Sequence, residues 1–95
     1  MLKPSDPLVS PHAVHRFRER FARLSPDEAT RALERLVKTG ERWGPSSKGT
    51  WHLLVYVEGE PAVLAMIPDA VSGRPSVVTV LTLAQAIANQ KRAFR

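Results

Sequence analysis

Cysteine is absent from the 95 residues, which removes disulfides, thiol nucleophiles and cysteine-ligated zinc from consideration. Long apolar runs are absent too, since none approaches the roughly 18 residues that a membrane-crossing helix needs. The opening Met1-Leu2-Lys3-Pro4 lacks the apolar stretch of a secretory signal, so the expected compartment is the cytoplasm, with no membrane partner. Acidic residues are the minority and do not cluster as a metal-binding set would, and no cofactor is expected.

What is present fits one small domain spanning residues 1–95, with 43% hydrophobic and 24% charged side chains and an extended arm over residues 1–9. Fourteen Lys and Arg against nine Asp and Glu leave a net charge of +5, which favours a polyanionic partner. The excess is mostly N-terminal, with ten basic and six acidic residues in 1–49 against four and three in 50–95. Ten of the fourteen cations are Arg, whose planar fork grips phosphate in bidentate fashion where Lys offers a point charge.

Pro4, Pro7 and Pro11 keep the first eleven residues extended, with Leu8-Val9-Ser10 at most a short edge strand. Val14, Phe17, Phe21 and Leu24 then recur at intervals of three and four, placing one apolar face on a helix over residues 12–24 that Ser10 or Pro11 opens. Ser25-Pro26-Asp27-Glu28 reads as a capping box with proline in the first turn, and starts a second helix. Its stripe is Ala29, Ala32, Leu33, Leu36 and Val37, and Gly40 is its stop.

Residues 41–49 read as a flexible loop that is not a phosphate-binding P-loop, because that motif needs Gly-Lys-Ser/Thr in order after a strand. Residues 51–58 and 61–67 are rich in β-formers, and Gly59-Glu60 between them predicts a hairpin turn. Residues 76–81 read as a third strand after a loop carrying Gly73 and Arg74. Thr82-Leu83-Ala84-Gln85 repeats the capping-box logic and predicts a last helix that buries Leu83, Ala84, Ile87 and Phe94.

At about 100° per residue, His12, Arg16 and Arg20 form a polar stripe opposite Val14, Phe17 and Phe21, with His15, Glu19 and Arg23 beside them. One reading is an ordinary solvated face in which Glu19 pairs with His15 and Arg23 at i, i+4. The other is a face that meets a phosphodiester. Cleavage of RNA by its 2′-hydroxyl needs a base, an acid and cations around the phosphorane. Histidine serves as acid or base near neutral pH, and arginine supplies fixed positive charge where the anion develops.

His52 shares a strand face with Leu54 and Tyr56, which suits a partly buried structural histidine or a third catalytic group. A metal site from His12, His15 and His52 is the least favoured reading, because histidines at i, i+3 without a Cys make a poor ligand set. Trp43, between Arg42 and Gly44, is a candidate for stacking on an unpaired base, whereas Trp51 fits the core. Lys48 and Arg74 lie in polar turns that offer a cation to phosphate. The candidate catalytic set is therefore His12, Arg16 and His52, and the candidate nucleic-acid contacts are Arg20, Arg23, Trp43, Lys48 and Arg74.

The run Ser10-Pro11-His12-Ala13-Val14-His15-Arg16-Phe17-Arg18-Glu19-Arg20-Phe21 resembles small proteins, many from phages and mobile elements, that open on a Ser-x-His-Ala-x-x-Arg-x-x-x-Arg helix. They close on a Val-Thr-Val-Leu strand, here Val78-Thr79-Val80-Leu81. Such proteins look like relatives of the RelE and ParE toxin superfamily, metal-free ribonucleases among them, and the resemblance covers most of residues 8–82.

It implies a short strand, two helices and a three-stranded antiparallel sheet, with a site on the sheet and its helix rim. By position, His12 and Arg16 match the helix motif and Thr79 the strand motif. RelE-type toxins carry basic residues on the last strands and a C-terminal Tyr or His, whereas this chain has only Arg74 there and a helix afterwards.

The expected fold is accordingly α+β and RelE-like, with two N-terminal helices on a three- to four-stranded antiparallel sheet and a C-terminal helix. The expected partner is RNA or a nucleoprotein complex, with an antitoxin or a host protein as further possibilities. The expected function is RNA binding with or without metal-free endoribonuclease activity. The alternative is a non-catalytic phage or mobile-element protein that inhibits a host nucleic-acid-processing complex.

Overall fold

The computed structural model describes residues 7–20, 23–44 and 49–93. Its elements run β1 (Leu8–Val9), α1 (Pro11–Arg20), α2 (Pro26–Thr39), β2 (Glu41–Arg42), β3 (Trp51–Val57), β4 (Glu60–Pro68), β5 (Pro75–Thr82) and α3 (Leu83–Ala93). The strands make one sheet in the order β1-β5-β4-β3-β2. It is mixed, because β1 runs parallel to β5 while the other neighbours are antiparallel.

The α+β class is as expected, and the wholly antiparallel sheet of three or four strands is corrected. Two dipeptides make the difference. Leu8 and Val9 form the short edge strand that the sequence allowed, but parallel to β5 against Ser76 and Val77, and Glu41 and Arg42 leave the expected loop to pair with Leu54 and Leu53. Strands this short carry no alternation for a periodicity argument to detect.

Each helix start is chemically fixed. Ser25 accepts from the Glu28 amide at 3.2 Å while the Glu28 carboxylate accepts from the Ser25 amide at 3.1 Å. Thr82 and Gln85 repeat this exchange at 2.8 and 2.9 Å ahead of α3. Gly40 ends α2 with an extended backbone (φ −70°, ψ 154°), so left-handed freedom is not what demands glycine. Close approach is: a Cβ there would lie 2.8 Å from Val55 Cγ1.

The β3–β4 hairpin turns at Glu58-Gly59, one residue earlier than expected, and Val57 pairs with Glu60. Both turn residues have positive φ (52° and 82°), the backbone that matches the twist of the strands in a two-residue hairpin. A register shift at Ala65/Met66 sets Met66 against Val77 and Ala65 against Thr79. That bulge lets Val77 and Val80, three residues apart, both face the same core.

This core lies between the sheet and the two N-terminal helices, where Phe17 and Leu33 meet Leu53, Val55, Leu64 and Met66. Val63 points to the other face of β4 and is fully buried outside that cluster, as is Ala86 of α3. Since α3 contacts β4 and β5, it covers this second face. The expected phase of α3 is corrected: Ala86 is buried, while Ala84 and Ile87 are exposed. Leu83, Ala86 and Gln90 form the inward stripe, and a small alanine at its centre lets the helix sit close. Phe94, like Phe21, lies outside the described residues.

Candidate nucleic-acid interface

Ser10 anchors α1 to the sheet. Its amide donates to the Val77 carbonyl at 3.1 Å, its hydroxyl donates to the Val78 carbonyl at 2.9 Å, and the same oxygen accepts from the Ala13 amide at 3.0 Å. Ala13 and Phe17, at 0% and 1% exposure, then press one side of the helix into the core. The opposite side presents His12, His15, Arg16, Arg18, Glu19 and Arg20 to solvent. Within the N-terminal motif, Ser10 and Ala13 thus have folding roles, whereas His12, Arg16 and Arg20 have none in the core.

Glu19 is the one carboxylate of α1 and engages two neighbours. Its Oε1 accepts from Arg16 Nη1 at 3.1 Å and lies 3.8 Å from His15 Nε2. Arg23, expected as its i+4 partner, instead reaches Glu58 in the β3–β4 turn at 2.7 and 2.8 Å, because α1 ends at Arg20 and the chain turns away. Arg18 Nε donates to the Leu24 carbonyl at 2.9 Å and secures the same turn. His12 and Arg20 have no polar partner among the described residues.

His52 is half-buried on β3 and pairs across the sheet with Ala65, which pairs in turn with Thr79. Its strand neighbours Leu53 and Trp51 face the α1–α2 layer, so His52 and Thr79 face the other way. The sheet therefore separates His52 from His12, Arg16 and Arg20, and the four do not gather in one cleft. Among the described residues no three His, Asp or Glu side chains are placed to hold a metal ion.

The remaining candidates disperse. Trp43 is half-buried, and its amide donates to the His52 carbonyl at 3.0 Å. Trp51 packs against the helix-side core with the Arg42 guanidinium 5.5 Å from its ring centroid. Lys48 lies outside the described residues.

Arg74 is half-buried in the β4–β5 loop, where its carbonyl accepts from the Asp69 amide at 2.8 Å. The Asp69 carboxylate accepts from the Ser72 amide and hydroxyl, both at 2.9 Å. Those bonds, with a smaller contribution from the Arg74 charge, hold its pKa below the ordinary value. Arg74 thus sits in a loop ordered by its own hydrogen bonds.

Sequence reasoning missed two features. Gly44 closely approaches Gln90 of α3, a contact between segments 46 residues apart that no local pattern announces. The adjacency of Trp43 and His52 was equally hidden, since it depends on pairing continuing past β2. No helix among the described residues is long and apolar enough to cross a membrane. No family model, curated protein or solved structure matches the chain.

Proposed function

We propose that the chain binds RNA through the outer surface of α1, with His12, Arg16 and Arg20 as the principal contacts, and that its fold is of the RelE-like type. The observation that carries this reading is the division of labour along α1: Ala13 and Phe17 hold it to the core, and its exposed side has three arginines and two histidines against one glutamate. Arginines on one exposed helix face approach successive phosphates without sequence preference. The order of short strand, helix pair and antiparallel strands agrees with a RelE-like arrangement.

Metal-free cleavage is the narrower form of this proposal. His12 and Arg16 are i, i+4 neighbours, so one residue to move a proton and one to hold the phosphate stand side by side. The separation of His52 from α1 favours the competing reading, a non-catalytic protein that docks on a host nucleic-acid-processing complex.

The deciding experiment is fluorescence anisotropy with a labelled single-stranded RNA over a salt series. Affinity falls steeply with salt, and Arg16→Ala flattens the log-log slope by up to about one unit. Absence of binding at low salt contradicts RNA recognition and moves the weight to a protein partner. Cleavage that persists in EDTA and stops when the 2′-hydroxyl is removed supports the nuclease form.

A further inference from the structure

The second face of the sheet carries a cluster that α1 does not use. The Trp43 amide donates to the His52 carbonyl, so strand pairing continues one residue past Arg42. Alternation then puts Trp43 on the face of Glu41, Leu54 and His52, away from the helix pair. In agreement, Trp43 is half-buried yet does not belong to the hydrophobic cluster that α1 and α2 cover, whereas Trp51 packs against that cluster.

The next residue, Gly44, has φ +73° and approaches α3 so closely that a Cβ there would lie 2.9 Å from Gln90 Nε2. Two contacts thus link three elements: Trp43 pairs with His52, and Gly44, the residue after Trp43, meets Gln90. Trp43, His52 and Gln90 are all half-buried. Among the described residues, the Trp43 indole N–H, the His52 ring nitrogens and the Gln90 carboxamide have no hydrogen-bond partner. None of these atoms is sealed from solvent, so all three groups stay open to water and to a ligand.

We propose that Trp43, His52 and Gln90 form a site for a single unpaired nucleobase. The chemistry selects the ligand. An indole supplies a stacking plane for any base, and a carboxamide offers a donor and an acceptor to a base edge. A purely aliphatic ligand would leave those polar groups unpaired. A bare phosphate would find no fixed charge among the three. This site deepens the RNA-binding reading and rests on it for the source of the base.

The test titrates the full chain with a uridine octamer, an abasic phosphodiester of the same length and uridine monophosphate, following tryptophan fluorescence and anisotropy. The octamer and the monophosphate quench the fluorescence and the abasic chain does not. Trp43→Leu abolishes the quenching and weakens octamer binding on the order of tenfold, with abasic binding unchanged. Trp51 supplies the residual, unresponsive signal. Gln90→Ala, at the half-buried end of the α3 stripe, weakens octamer binding in the same direction with the circular dichroism spectrum retained.

Quenching that survives Trp43→Leu, or equal wild-type affinity for octamer and abasic chain, overturns the base site. Its failure is distinct from failure of the α1 surface. If Arg16→Ala leaves octamer affinity unchanged and Trp43→Leu lowers it, the base site stands without α1. The reverse pattern removes the base site and keeps α1.

Discussion

Arg23 Nη2 lies 2.7 and 2.8 Å from the two carboxylate oxygens of Glu58, joining the α1–α2 connection to a hairpin turn 35 residues away. Glu58 is the one described non-glycine residue with positive φ. Both side chains are largely exposed, so the pair contributes about 0.2–1 kcal/mol, whereas a left-handed backbone costs a non-glycine residue roughly 1–2 kcal/mol.

The turn geometry outweighs the ion pair. Glu58→Asn, which restores the Asn-Gly favoured in such turns, leaves stability unchanged or raises it by up to about 1 kcal/mol in denaturant melts. A loss above about 1 kcal/mol would show that the ion pair dominates.

The Ser10 anchor is worth more, because its hydroxyl serves as donor to Val78 and acceptor for Ala13 at once. Ser10→Ala costs about 1–2 kcal/mol by loss of a helix cap and leaves the Val78 carbonyl without that donor. A change under about 0.3 kcal/mol would refute its role in positioning α1.

Leu33, at 0% exposure beneath the helix pair, tests the helix-side core. Leu33→Ala lowers stability by about 2–5 kcal/mol. Gly40→Ala lowers it by about 1–3 kcal/mol through the clash with Val55. A neutral Gly40→Ala would mean that α2 relaxes away from β3 freely.

Two carboxylates contribute to the acid response. Glu28 is held below its ordinary pKa by the Ser25 amide and then the Ser25 hydroxyl, and Asp69 by the Ser72 amide and hydroxyl. Because the folded values are depressed, their stabilisation is complete at neutral pH and is lost as pH falls through and below about 4. Asp69→Asn and Glu28→Gln therefore flatten the acid limb of a stability-versus-pH curve. Curves that superpose on wild type would contradict this.

Local chemistry made much of the fold legible. Ser25-Pro26-Asp27-Glu28 and Thr82-Leu83-Ala84-Gln85 each announced a helix start, and the β-formers around Gly59 announced a hairpin. What escaped was non-local. The parallel direction of β1 depends on β5, β2 is a strand only because β3 lies beside it, and the bulge at Ala65/Met66 is invisible to alternation. The α1 stripe was readable because Ala13 and Phe17 share a phase that leaves His12, Arg16 and Arg20 outside. Its relation to His52 was not readable, since which face of a sheet a helix covers depends on chain connections rather than periodicity.

The most direct test of RNA recognition by α1 is an NMR titration of isotope-labelled protein with single-stranded RNA at low salt. The predicted result is a set of perturbed amides concentrated at His12, His15, Arg16 and Arg20, diminished in the Arg16→Ala and Arg20→Ala variants. A spectrum in which residues 11–20 stay unmoved while RNA binds elsewhere, or in which nothing moves, would contradict it.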